Sequence, residues 1–374
     1  MKISIVGTRG IPANYGGFET FAQEISVLLV EKGWTVTVFC DAPELGSEPL
    51  KSFNGVKLQY SRTTKSKNPL LYYYSTIREG LKTSDIVLVT GTGGAFFYFL
   101  NFFRRKKIIT NCDGVESRRA KWGFLKKTFI RFTESFAMRF STAIIADSKG
   151  IENYLTDKYS KNLHSKIHTI EYGAPVNNSV DPEVLNKYNL VSQNYYLVVS
   201  RLEPENNIQL IIKGYLASKS TLPLVIIGNL IDNDYVKSVQ QLANEKVLFI
   251  GGVYNQHELS ALRTSCTAYI HGHSVGGTNP SLLEALGSSN VCICHDNIFN
   301  REVTMNEMFY FSNVQNFAEA IDSIEQLSSE QRSVIERSAL NRINEYYNWQ
   351  NMANKYSTLF TNLIDQQTRK NRPK

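Results

Sequence analysis

The 374-residue sequence lacks the features that mark several large function classes. Its five cysteines, Cys40, Cys112, Cys266, Cys292 and Cys294, are odd in number and scattered. None has metal-ligand spacing, because Cys292-Ile-Cys294 sits in a strand pattern that sends both thiols to one face. A zinc framework and a disulfide scaffold are therefore set aside, and reduced thiols in a cytosol are expected. No H-E-x-x-H, G-x-S-x-G or Walker A segment occurs, which argues against zincin, α/β-hydrolase and P-loop chemistry. Gly7-Thr-Arg-Gly10 lacks the G-x-G-x-x-G spacing, and Gly91-Thr-Gly-Gly-Ala-Phe96 lacks its last glycine, so dinucleotide binding has little support. Met1-Lys-Ile-Ser-Ile-Val6 reads as a strand start and not as a signal peptide. The longest uncharged run, Ile86 to Phe103, is broken by Gly91-Thr-Gly-Gly94. That pattern fits strand, loop and helix better than a membrane span.

What is present is an uneven charge and a strong alternation. Residues 1–172 carry 25 Lys+Arg against 15 Asp+Glu, a balance of +10, whereas residues 173–374 carry 16 against 19, a balance of −3. The excess concentrates in residues 101–140, with 11 Lys+Arg against 3 acids. Aromatics interleave with these cations in Phe102-Phe-Arg-Arg-Lys-Lys107 and in Trp122-Gly-Phe-Leu-Lys-Lys-Thr-Phe-Ile-Arg-Phe132. Arg104, Arg105, Lys106, Lys107, Arg118, Arg119, Lys121, Trp122, Lys126 and Lys127 are accordingly expected to meet an anionic membrane surface or a phosphate-bearing acceptor. A solvated helix face above a core stripe fits the same pattern. No nucleic-acid motif accompanies the charge, so no nucleic-acid partner is expected.

Apolar strands alternate with helical periodicity from Lys2 to Ala146 and again from Tyr195 to about Asp365. A long helix is predicted over Phe124–Phe140. Such alternation predicts an α/β class with parallel sheets covered on both faces. The run His168–Pro182 loses periodicity and gathers turn residues, as a linker does. Expected domains are residues 1–172 and 173–345, with 346–374 a C-terminal helix packing back on the first domain and ending in a frayed tail. Glycine loops at 7–17, 91–94, 228 and 251–252 all follow predicted strands.

The richest stretch is His271-Gly-His-Ser-Val-Gly-Gly-Thr-Asn-Pro-Ser-Leu-Leu-Glu284. A strand, a small-residue loop and a helix start gather backbone N–H groups at a positive helix end, suited to an anion or to sugar hydroxyls. Asn279 is a candidate cap and Pro280 fits the first turn. An ordinary strand-to-helix turn would read the same in isolation.

The two-domain pattern, Gly16-Gly17 before the first helix, Val199-Ser-Arg-Leu-Glu-Pro-Glu-Asn206 and Ser281-Leu-Leu-Glu-Ala-Leu286 resemble GT-B glycosyltransferases of the large retaining family four. The segments Gly7 to Thr20, Asp113-Gly-Val-Glu116 with Arg118 to Trp122, and His271 to Ser281 are similar to a bacterial subgroup that includes rhamnosyltransferases of surface polysaccharide assembly. The resemblance implies two Rossmann-like domains facing a central cleft. The first would bind the acceptor and the second the nucleotide-sugar. It implies donor binding by Gly16, Gly17, Arg201, Val253, Tyr254, Gly276, Gly277, Thr278, Asn279, Ser281, Leu282 and Glu284. Arg201 would clamp the diphosphate and Glu284 would hold the ribose hydroxyls. No metal and no cofactor are expected.

Three departures from that pattern matter. The family's first motif glutamate is Gly276 here, which removes a carboxylate from the donor sugar and suggests a deoxyhexose. The family's lysine after Arg201 is Asn206, leaving Arg9 or Arg118 to supply a cation. The family's histidine falls near Asp113, which with Arg201 is the candidate catalytic residue. His271 and His273 lie beside the motif, at least one of them structural. The expected activity is transfer of L-rhamnose from dTDP-rhamnose to a lipid-linked glycan at the inner face of the bacterial plasma membrane. A GT-B sugar-nucleotide epimerase and a non-catalytic nucleotide-sugar-binding partner fit the same features.

Overall fold

The computed structural model describes residues 1–13, 16–44, 48–112, 114, 123–177 and 179–370, with side chains to 366. The chain divides into two units, Met1–Tyr172 with Trp349–Lys374, and Gly173–Asn348.

The first unit is built on eight strands: Lys2–Val6 (β1), Thr35–Cys40 (β2), Ser52–Phe53 (β3), Val56–Tyr60 (β4), Ile86–Thr90 (β5), Lys107–Cys112 (β6), Ala143–Ala146 (β7) and Ile167–Thr169 (β8). Their order is β3-β4-β2-β1-β5-β6-β7-β8. All pairs are parallel except β3 with β4, an edge hairpin turned by Asn54 and Gly55, both at positive φ. β5, β6 and β7 are buried on both faces, which explains their continuous apolar or small-residue runs. The helices are Gly17–Glu31 (α1), Pro69–Thr83 (α2), Phe124–Phe140 (α3) and Lys149–Lys158 (α4), with a 3-10 helix at Ala95–Asn101.

α3 has the bounds its periodicity predicts, but its apolar stripe does not face the core. The buried face is Thr133, Glu134, Ala137 and Met138. Glu134 is anchored there by Lys158 Nζ at 2.7 Å and by the Tyr159 hydroxyl at 2.8 Å. Leu125, Phe129, Phe132 and Phe140 consequently lie exposed.

The second unit begins with Pro182–Lys187 (α5). Its strands and helices then alternate: Tyr196–Val199 (β9), Ile208–Ala217 (α6), Leu224–Ile227 (β10), Asp234–Leu242 (α7), Val247–Gly251 (β11), Gln256–Thr264 (α8), Ala268–His271 (β12), Pro280–Gly287 (α9), Cys292–His295 (β13), Ile298–Thr304 (α10), Phe309–Phe311 (β14), Val314–Glu325 (α11) and Ser329–Glu345 (α12). The sheet is parallel throughout, in the order β11-β10-β9-β12-β13-β14. Its core joins Val198, Ile226, Ile270 and Ile293 to Ile211 of α6 and to Phe317 and Ile321 of α11.

The last helix, Trp349–Lys370 (α13), belongs to the first unit. Tyr356 sits 5.5 Å from Phe21 of α1, and Trp34 donates its indole N–H to Ser357. The five cysteines are buried and form no disulfide with one another. The Cys292 thiol is pushed up by desolvation, then by Cys294 and Cys266.

Candidate functional site

In the second sheet the chain runs one way through β9, β10 and β11 and the other way through β12, β13 and β14. The order therefore reverses between β9 and β12, and the loops leaving those two strands lie side by side. Such a switch point is where open α/β sheets bind ligands. The first sheet has the same feature between β1 and β5.

The two loops of the second unit are locked together. Asn207, at φ +54, donates its side-chain amide to the Gly272 carbonyl at 2.8 Å. Ser274 gives both its N–H and its hydroxyl to the Glu205 carbonyl, at 2.9 and 2.8 Å. A Cβ on Gly272 would meet the Asn206 carbonyl at 2.1 Å. This contact gives the glycine between His271 and His273 its physical reason. Within the first loop, Glu203 N–H and the Asn206 amide both donate to the Arg201 carbonyl, at 2.9 and 2.7 Å. The Arg201 backbone is thus fixed while its side chain stays 57% exposed, 3.5 Å from Glu203. Asn206, standing where the resemblance calls for a lysine, holds Arg201 in place instead of adding a cation.

Glu205 is buried, and among the described residues neither carboxylate oxygen has a hydrogen-bond partner. It lies within the Val199–Asn206 segment but is not among the expected site residues. His271 is also buried, with both ring nitrogens unpartnered among the described residues, and stacks on His273 at 4.4 Å. Desolvation, then His273 and His295, hold His271 well below the usual histidine range. Burial there favours the neutral imidazole.

Gly276 adopts φ +142, and a Cβ there would meet nothing within 4 Å. Space exists for a side chain, but the backbone favours glycine. Thr278 is buried. Asn279 caps α9, its side chain accepting from Ser281 N–H at 3.0 Å, and Pro280 occupies the first turn. The Leu282 N–H bonds to the Asn279 carbonyl at 3.1 Å, and the Leu282 side chain is fully buried. Both N–H groups are engaged within the cap. Ser281 Oγ reaches the Val199 carbonyl at 3.2 Å, tying α9 to the end of β9. Glu284, one turn in, pairs with buried Arg263 of α8 at 2.6 Å.

The neighbouring loops complete this edge. Gly228 packs under Ser200, whose carbonyl lies 2.3 Å from where a Cβ would be. Tyr254 is exposed and accepts from the Asn229 amide at 2.5 Å, and Val253 is half-buried beside it. Gly277 is buried next to Thr278. Arg201, Tyr254, Gly276 and Glu284 therefore belong to loops and a helix start at one edge of one sheet.

The first unit treats its expected residues less uniformly. Gly16 has extended backbone, which any residue adopts, and Gly17 opens α1. Glu19 is buried in that first turn, accepts the Arg9 N–H at 2.8 Å, and lies 3.6 Å from a Cβ position on Gly16. A carboxylate therefore shares this helix end with Gly16 and Gly17, engaged by the Arg9 N–H. Sequence reasoning missed Lys65 and Asp41. The Lys65 ammonium bonds to the Gly7 carbonyl and lies 5.7 Å from the Phe18 ring. Burial pushes the Asp41 carboxyl up, against the Lys65 N–H bond and the Arg9 and Lys65 charges. Both sit in polar loops with no motif to mark them.

Asp113, Arg118, Arg119, Lys121 and Trp122 lie outside the described residues. Arg104 bonds to the Arg78 carbonyl at 3.0 Å, and Lys106 lies 3.8 Å from Asp85. Arg105 is exposed at φ +50, Lys107 opens β6, and Lys126 and Lys127 lie in the first turn of α3.

Residues 1–175 match the family model described as a domain of unknown function (DUF1972), and residues 181–341 match that of glycosyl transferases group 1. The chain is similar in structure to sucrose-phosphate synthase from Thermosynechococcus elongatus, with 13% identity, a TM-score of 0.79 and coverage of 98% of this chain and 99% of that one. A glycosyltransferase from Rickettsia africae ESF-5 gives 16% identity, a TM-score of 0.75 and coverage of 97% and 98%. Anabaena HepE in complex with UDP-glucose gives 14%, 0.76, 97% and 100%. At such identities the likeness is one of fold. No curated protein matches the sequence. Two parallel-sheet units, end-to-end likeness to these enzymes and a family match spanning the switch-point loops lead to one conclusion: the chain has the GT-B fold, and residues 181–341 are a group 1 glycosyltransferase domain.

Proposed function

We propose that the chain is a retaining glycosyltransferase that moves L-rhamnose from dTDP-rhamnose to a lipid-linked glycan. The setting is surface polysaccharide synthesis (capsule, O-antigen or exopolysaccharide) at the inner face of the bacterial plasma membrane. The observation that carries this reading is Arg201, fixed through its backbone and exposed through its guanidinium at the switch point of the group 1 domain. Its contact with Glu203 is long, so a diphosphate can replace that carboxylate as a bidentate partner. Neutralising the departing nucleoside diphosphate is the main electrostatic task in such a transfer, because charge develops there as the sugar becomes oxocarbenium-like.

Glu284 is held by Arg263 and keeps acceptor capacity for ribose hydroxyls. Tyr254 offers a face for the base. Gly276 leaves the donor sugar without an acidic partner, which suits a sugar with one hydroxyl fewer. Asp113 is the proposed group facing the reacting sugar, and the reading calls on no metal or cofactor. HepE was solved with UDP and glucose and with UDP-glucose, which supports a nucleotide-sugar partner here.

A thermal-shift screen over nucleoside diphosphates and their sugars tests donor binding, since a ligand raises stability by mass action. dTDP and dTDP-rhamnose should raise the melting temperature of the wild type and not of Arg201→Ala. A screen in which no nucleotide shifts the wild type would overturn the assignment.

A further inference from the structure

The apolar stripe of α3 runs Leu125, Phe129, Phe132, Phe136, with the i, i+4, i+7, i+11 spacing of one helix face. That face points away from the sheet: Leu125 is 84% exposed, Phe129 45% and Phe132 47%. Phe136 continues the stripe onto the 3-10 helix, its ring 6.1 Å from that of Phe96. At the end of that 3-10 helix Phe102 and Phe103 project as a ring pair, 78% and 91% exposed. Single exposed aromatics are ordinary. A continuous outward stripe along a 17-residue helix, joined to a second aromatic cluster, is not.

We infer that this face of α3, together with Phe102 and Phe103, is an interfacial anchor whose side chains enter an anionic lipid bilayer. Charge selects the occupant. Residues 101–140 hold 11 Lys+Arg and 3 acids; Lys126, Lys127 and Arg131 share α3 with the apolar stripe, and Arg105 follows Phe102 and Phe103 in sequence. Acidic headgroups complement that charge, whereas the same patch on a second copy repels it. Among the described residues no helix is long and apolar enough to cross a membrane, so the mode fitted by this geometry is a helix lying in the interface. The inference deepens the proposed membrane location. It is measured without donor or acceptor, so its failure and that of the sugar-transfer reading are separable.

The test is sedimentation of the full chain with vesicles of phosphatidylglycerol and phosphatidylethanolamine, against phosphatidylcholine vesicles. The wild type should bind the anionic vesicles, and Phe129→Glu/Phe132→Glu should bind about tenfold or more weakly. Both side chains are exposed, so an unchanged melting temperature confirms that the variant folds. Phe132→Trp should give a blue-shifted emission on anionic vesicles, reporting entry into the apolar layer. Three results would each overturn the inference: equal binding by wild type and double variant, unshifted emission, or a concentration-dependent dimer that Phe129→Glu/Phe132→Glu dissolves without any vesicle binding.

Discussion

α3 and α11 carry the same apolar spacing and put it to opposite use. Phe317, Ile321 and Ile324 of α11 are at most 1% exposed, packed on the second sheet. Leu125, Phe129 and Phe132 of α3, at the same intervals, are outside. Periodicity therefore reports that a helix has an apolar face, not which way it turns. Direction is set by the opposite face. Apart from Val314 at its start, the outer face of α11 is mainly polar, whereas α3 has Thr133, Ala137 and Met138, small or adaptable enough to fit the sheet, and Glu134, which Lys158 and two tyrosines hold inward.

The comparison predicts a graded series. Phe317→Ala should destabilise the second unit by about 3–5 kcal/mol, since it empties a fully buried site against Gly214, and chemical denaturation reads this directly. Glu134→Ala should remove about 3 kcal/mol from the first unit by stranding its donors. Hydrogen exchange should then show α3 losing protection first, and an α3 that stays protected would mean its apolar stripe, not its anchor, holds it. Gly276→Ala should lower stability by about 1–3 kcal/mol because φ +142 is strained for any side chain. A neutral effect would show the loop to be adaptable. His271 has a folded pKa depressed by burial, so its stabilisation is present above its unfolded value and lost as pH falls below it. Urea midpoints should therefore fall as pH is lowered through the ordinary histidine range, and His271→Asn should flatten that dependence. Phe129→Ser should change stability by about 0.5 kcal/mol or less.

Much of the architecture was legible because it depends on local pattern. Strand-then-glycine units mark the ends of β1, β5, β10 and β11, and α3, α11 and α12 start where their periodicity starts. β3, β8 and β14 have two or three residues each, too few to show a period, and β8 hides in the stretch read as linker. Arg201 and Glu284 were legible through motifs. Arg263, Lys65 and Asp41 were not, and Glu205 went unremarked inside the Arg201 motif, because what matters about them is a partner or a burial supplied by distant chain: Lys65 meets the Gly7 carbonyl 58 positions away. The cap that engages the Ser281 and Leu282 N–H groups follows from Asn279 and Pro280, but which donors it takes up is visible only in the fold.

The most direct measurement is sugar transfer itself, followed by mass spectrometry, with dTDP-rhamnose and a lipid-linked saccharide acceptor. The wild type should release dTDP and yield a rhamnosylated lipid, while folded Arg201→Ala should be slower by a factor of about a hundred or more and Glu284→Ala impaired in donor binding. Wild-type turnover in both variants, or no transfer from any nucleoside-diphosphate sugar, would contradict the account.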